Sequence, residues 1–178
     1  ESVVDETLTA ARLELGRHRV ERAAQRLAAL GTAGAGGADT NPRFAAALLH
    51  ARIALAQGGV AAARGRIDEL GDGAGSPSLE RRLGFLPVRA ALLAAEGRLD
   101  AARSDLEAGI VAATSAGRLV TGLDLQLALA ALDLESGDPG RARAAAAEIA
   151  ERSASLGLTA LAQAANDLRG GTSRKSSQ

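Results

Sequence analysis

The stretch Ala130-Ala-Leu-Asp-Leu-Glu-Ser-Gly-Asp-Pro-Gly-Arg-Ala-Arg-Ala-Ala-Ala-Ala-Glu-Ile149 decides the fold. Ala130, Leu132 and Leu134 end one helix. Gly137-Asp138-Pro139 makes a turn, with Asp138 as cap and Pro139 at the first helical position. Ala142, Ala146 and Ile149, spaced four and three residues apart, mark one face of a second helix. The unit is a helical hairpin, and three weaker copies lie upstream.

Residues just after each first helix serve as markers: His18, Gly58, Gly97 and Gly137. They are separated by 40, 39 and 40 residues. A fixed period of that size is the signature of stacked helical hairpins. The columns around the markers agree. Seven residues before them stand Ala11, Ala51, Ala90 and Ala130. Five before stand Leu13, Ile53, Leu92 and Leu132. Two after stand Val20, Val60, Leu99 and Pro139. Five after stand Ala23, Ala63, Ala102 and Ala142, and nine after stand Leu27, Ile67, Leu106 and Ala146. The two all-Ala columns let paired helices approach closely, and the large aliphatics fill the space between successive hairpins. Gly at the turn suits the left-handed backbone that ends many helices. His18 breaks that pattern and predicts a first turn of different shape.

Composition agrees. The 178 residues are 47% hydrophobic but only 1% aromatic, so helix-forming Ala and Leu dominate and strand formers are sparse. The expected fold is all-α: a superhelical array of about four helix-turn-helix hairpins with a C-terminal capping helix. The hairpins are expected at about 3–30, 42–70, 77–116 and 119–156, the capping helix at 158–169, and a disordered polar tail at 170–178. Asn166, Asp167 and Arg169 give the last helix a polar cover. Gly31–Thr40 and Gly71–Ser76 are flexible loops by composition. Asn41-Pro42 and Ser76-Pro77 open the helices that follow them. Pro87 predicts a break in the third hairpin, with a short helix from about Pro77 to Gly84 and another from Leu86 to Glu96. A single kinked helix is the alternative.

The repeated pattern Ala-x-Leu-x-x-x-x-Gly-x-x-x-x-Ala resembles the tetratricopeptide repeat family over about Ala10 to Leu156, the Gly-rich loops excepted. The two Ala columns match the small residues at that family's helix crossing. The chain departs from the family in its longer period, against about 34, and in its empty aromatic positions. The longer period and the Ala-rich texture, with the stretch Ala116-Gly-Arg-Leu-Val-Thr-Gly-Leu-Asp-Leu-Gln-Leu-Ala-Leu-Ala130, are similar to the helical sensor region of large bacterial regulators of the MalT/LuxR type. The resemblance implies a tetratricopeptide-like α-solenoid that binds a protein or peptide without catalysis. It also implies an alternative: the sensor or oligomerisation region of a larger bacterial signalling ATPase or transcription regulator, with the catalytic and DNA-binding domains elsewhere. In such solenoids the first helix of each pair lines the groove, which makes Arg12, Arg52 and Arg89 groove candidates. Arg81, Arg82 and Arg89 form a basic cluster beside Pro87, an anchor for an acidic partner peptide or a solvated face.

Little other chemistry is visible, and no catalytic residue, cofactor or metal is expected. Gly31 and Gly36 have phosphate-loop spacing, but Gly37 stands where Lys is needed, and Asp39 where a dinucleotide fingerprint needs Gly. His18 and His50 are the only histidines and lack metal-ligand spacing. There is no Cys, so no thiolate site. The pairs Asp68–Glu69 and Asp133–Glu135 read as surface charge. With 21 basic and 21 acidic residues the net charge is zero, which argues against direct nucleic-acid binding. No apolar run approaches the roughly 20 residues that span a bilayer, so no membrane is expected and the cytoplasm is the default. The Arg-over-Lys bias with Ala and Gly richness reads as a high-GC bacterial habit. Val3, Val4 and Leu8 on the first helix have no preceding repeat to cover them and predict self-association through that face.

Overall fold

A computed structural model describes residue 11 and residues 20–30, 40–70 and 78–174. The described chain is all-helical, with adjacent helices packed pair by pair as in a helical repeat array. It divides into two compact units, residues 1–77 and 78–178.

The first unit holds α1 (Val20–Leu30), α2 (Thr40–Ala56) and α3 (Val60–Glu69). α1 packs on α2, and α2 on α3. Ala11 is buried with Ala23, Leu27, Leu49 and Ile53, which ties both Ala columns to one core. α2 begins at Thr40, two residues before the expected start at Pro42. The expected first helix, apart from Ala11, lies outside the described residues. So do His18, the Val3–Val4–Leu8 face, the Gly31–Gly37 phosphate-loop spacing and the Gly71–Ser76 loop.

The second unit holds α4 (Leu79–Ala95), α5 (Leu99–Ser115), α6 (Leu119–Glu135), α7 (Pro139–Ser155) and α8 (Thr159–Arg174). Each helix starts 20 residues after the last. The turns between them share one build. Gly97, Gly117, Gly137 and Gly157 take φ of 77, 66, 89 and 72°, a left-handed backbone that strains any residue with a Cβ. The residue after each Gly donates its amide to a carbonyl five residues back: Arg98 to Leu93, Arg118 to Ala113, Asp138 to Asp133 and Leu158 to Ser153, at 2.8–2.9 Å. That bond satisfies a carbonyl the helix end would otherwise orphan, the Schellman arrangement. The repeat here is therefore one helix with its turn, 20 residues in all, and the period near 40 counts every second turn.

α6 is the hub of this unit and packs on α4, α5, α7 and α8. α4, α6 and α8 form one layer, with α6 in contact with both α4 and α8. α5 and α7, across from it, make no comparable contact with each other. The main core joins Leu83, Ala90 and Leu93 of α4 to Ala102, Leu106 and Ala113 of α5 and to Leu125 and Leu132 of α6. Side chains of α4 and α6 crowd Gly109 of α5, where a Cβ would stand 2.3 Å from Leu86 Cδ1 and 3.3 Å from Leu125 Cδ1.

Pro87 does not break its helix. α4 is continuous from Leu79 to Ala95, with Ser78 rather than Ser76 as its cap. Pro87 offers no amide to the Leu83 carbonyl, a defect that costs about 3 kcal/mol in a helix interior. Leu83, Phe85 and Val88, all buried around it, each contribute about 1.5–3 kcal/mol of apolar burial and outweigh it. α8 runs to Arg174, past its expected end at Arg169, so residues 170–174 are helical where a polar tail was expected.

Candidate functional site

The most polar construction inside the described fold is built on the segment that opened the sequence reading. Asp133 lies in the last turn of hub helix α6 and is 2% exposed. A carboxylate there meets the negative end of the helix dipole and has lost its water, both unfavourable to its charge. Two guanidinium groups offset this. Arg103 comes from α5 and sets Nη2 against Asp133 Oδ1. Arg141 comes from α7 and sets Nε 3.2 Å from Asp133 Oδ2. One carboxylate thus bridges two helices that do not otherwise pack closely.

The local sequence places Arg141. The Asp133 carbonyl accepts the Asp138 amide at 2.9 Å and the Ser136 hydroxyl at 3.0 Å, which closes the turn. Asp138 Oδ1 then accepts the Arg141 amide at 3.0 Å and caps α7, as expected for Asp138-Pro139. Arg141 is thereby held one turn into α7, and its side chain folds back to the carboxylate that began the turn.

Hydrogen bonding at the cluster is incomplete. Arg103 Nη2 sits close to Asp133 Oδ1 but off the line of a hydrogen bond, so the pair is an ion pair without a formed bond. Arg103 Nη1 is buried and has no hydrogen-bond partner. The Nη nitrogens of Arg141 make no hydrogen bond or ion pair among the described residues, and its side chain is 55% exposed. Beside the cluster, a pocket of ≈ 170 Å³ opens between α6 and α7. Leu129 and Ala145 line its apolar part, and Gln126, Asp133, Arg141 and Glu148 its polar part.

The residues proposed from sequence are placed differently. Arg12 lies outside the described residues. Arg52 is exposed on α2, in the first unit. Arg81, Arg82 and Arg89 are half-buried on α4, in the second. Arg82 and Arg89, seven residues apart, share a helix face, from which Arg81 is turned away. Arg89 Nε stands 3.1 Å from Asp105 Oδ2 of α5 and ties those helices together. Asp68 and Glu69 are exposed, as expected of surface charge. Asp133 corrects the companion expectation: it is buried and doubly paired, whereas Glu135, two residues on, is exposed. The signal was present in the sequence, because Asp133 follows Leu129 by four residues and Ala130 by three, on the helix's apolar stripe. His50 sits exposed on α2, and its pKa is lowered from the ordinary 6.5 by partial burial and then by Arg66 of α3. Among the described residues no three His, Asp or Glu side chains gather as a metal site would need. Nor is any helix there long and apolar enough to cross a membrane.

No family model, curated protein or solved structure matches the chain.

Proposed function

We propose that this chain is a non-enzymatic helical-repeat module that binds a protein or peptide. The observation that carries the reading is the division of labour within the repeat. The interior is nearly constant: Ala51, Ala63, Ala90, Ala102, Ala130 and Ala142 are all buried at equivalent positions. The exterior varies from helix to helix, from the basic α4 to the exposed Val111, Leu119 and Val120 at the α5–α6 end. A constant framework under a varied surface is how stacked repeats build recognition faces. Affinity capture from the source with the full chain, followed by titration of what is captured, tests this. A stoichiometric protein partner is expected. Substrate turnover by the purified chain, with no such partner, would overturn the reading.

A second reading makes the module one region of a larger regulator. The stretch Ala116–Ala130, which carries the likeness to MalT/LuxR-type sensor regions, forms the turn before hub helix α6 and most of that helix. An immunoblot of source lysate discriminates. A band near 17.9 kDa supports a self-contained adaptor, and a much larger one supports the regulator.

A further inference from the structure

We infer that one end of the second unit is a docking face for a second copy of this chain. Successive helices of that unit are joined by three-residue turns and pack side by side, so they run antiparallel and their turns alternate between two ends. The turns at Gly117 and Gly157 share one end, and those at Gly97 and Gly137 the other. Val111, Leu119, Val120 and Leu156 are the exposed large aliphatics among the described residues. All of them lie in the Gly117 and Gly157 turns or within about one helical turn of them. The framework does not require them there. At equivalent positions of the 20-residue repeat, Val111 is replaced by Ala91, Ala131 and Glu151, Val120 by Asp100, Gly140 and Ala160, and Leu156 by Glu96, Ala116 and Ser136. Leu119 is the exception, since its counterpart Leu99 packs against the core. Side chains that the sister repeats do without, gathered at one end and left in water, serve a contact outside the unit.

Charge selects the occupant. Arg81, Arg82, Arg118 and Arg152 at this end stand among Glu80, Asp124 and Glu151. An anionic membrane or a nucleic acid calls for a clear basic excess, which is missing. A face that meets its own copy needs mixed signs, because a two-fold axis sets the same patch against itself and a single sign repels. The exposed Arg118 and Arg152 and the exposed Glu80 and Glu151 supply both. The chain's zero net charge adds no long-range repulsion between copies. Four partly exposed aliphatics cover less than the about 800 Å² per partner of a standard interface, so the dimer is weak and reversible. Such a dimer leaves the rest of the repeat surface to another protein and does not depend on one.

The test is sedimentation equilibrium of the full chain from micromolar to millimolar concentration. A reversible monomer–dimer equilibrium is expected. Val120→Glu and Leu156→Glu should each weaken it at least about tenfold, since each removes an apolar contact and desolvates a charge. Together they should leave a monomer. A second measurement keeps every aliphatic intact, because the chain has no Cys. A spin label on Ser115→Cys, at this end, should report a short distance between copies. A label on Glu135→Cys, at the other end, should report one longer by about two helix lengths. A monomer at every concentration would overturn the inference. So would a distance at position 135 shorter than at position 115. A dimer unchanged in the double variant would overturn it too and move the contact to another face, such as Val3–Val4–Leu8. Binding of phosphatidylglycerol vesicles by a chain that stays monomeric, lost in the double variant, would make the occupant a lipid. Capture of a different protein by a monomeric chain, lost in the double variant, would sink the dimer and leave the binding-module reading standing.

Discussion

Asp133 shows how much of this fold depends on one carboxylate. Its oxygens face Arg103 and Arg141, and its carbonyl holds the turn that follows. Asp133→Asn keeps the shape and removes the charge, leaving Arg103 Nη1 and its neighbours near no anion. Breaking a fully buried pair costs about 3–5 kcal/mol. Both arginines here reach solvent, so about 2 kcal/mol is expected in urea unfolding. Arg141→Gln, on the exposed arm, should cost no more than about 1 kcal/mol. Equal losses for the two variants would show that the carboxylate is not the centre of the network. His50 gives a second residue-scale prediction. Its pKa is lowered in the folded chain, so the unfolded chain binds a proton more readily. The stability this contributes is present above pH 6.5 and is lost as pH falls below it. His50→Gln should flatten that slope in urea midpoints taken across the range, and an unchanged slope would remove His50 as its source.

The helices show what was legible and what was not. α3, α6 and α7 follow the boundaries that Val60, Leu119, Asp138-Pro139 and the glycines mark in the sequence. Both Ala columns proved to be core wherever they are described, because a residue that permits close approach must lie where helices cross. Gly117 and Gly157 carry the same turn as Gly97 and Gly137, yet a period near 40 passes over them. Their 20-residue spacing was as visible as the longer one. Pro87 predicts a break because local propensity says nothing of the burial that outweighs it. The buried role of Asp133 is hidden for a related reason: an acidic residue reads as surface charge, and the partners that permit its burial lie 30 residues back and eight ahead. Pro87→Ala therefore tests the continuous α4. It restores an amide to the Leu83 carbonyl and removes a helix breaker, so a gain of about 1–3 kcal/mol is expected in thermal or urea unfolding. If two helices met at Pro87, the substitution would be neutral or destabilising.

At the scale of the second unit, stability should pass from neighbour to neighbour. α8 covers Ile149 and Ala150 of α7 through Ala165, which is fully buried, while Gln163 and Asp167 face outward and bond each other at 2.8 Å. That is the build of a terminal cap, one face apolar and one polar. α8 touches α7 and, less extensively, α6, and makes no comparable contact with α4 or α5. A lesion confined to α8 should then weaken its neighbours first, since contacts in a stack are local. Ala165→Asp would place an unpaired carboxylate against Ile149 and Ala150, a burial the chain avoids by undocking the helix. Amide hydrogen exchange should record loss of protection throughout α8, then in the face of α7 that α8 covers. α4 and α5, whose core is Leu83, Ala90, Ala102 and Leu106, should keep theirs. Uniform loss from α4 to α8 would mean that the five helices open as one cooperative body, and the hub helix α6 would be the reason, since it alone touches all the others.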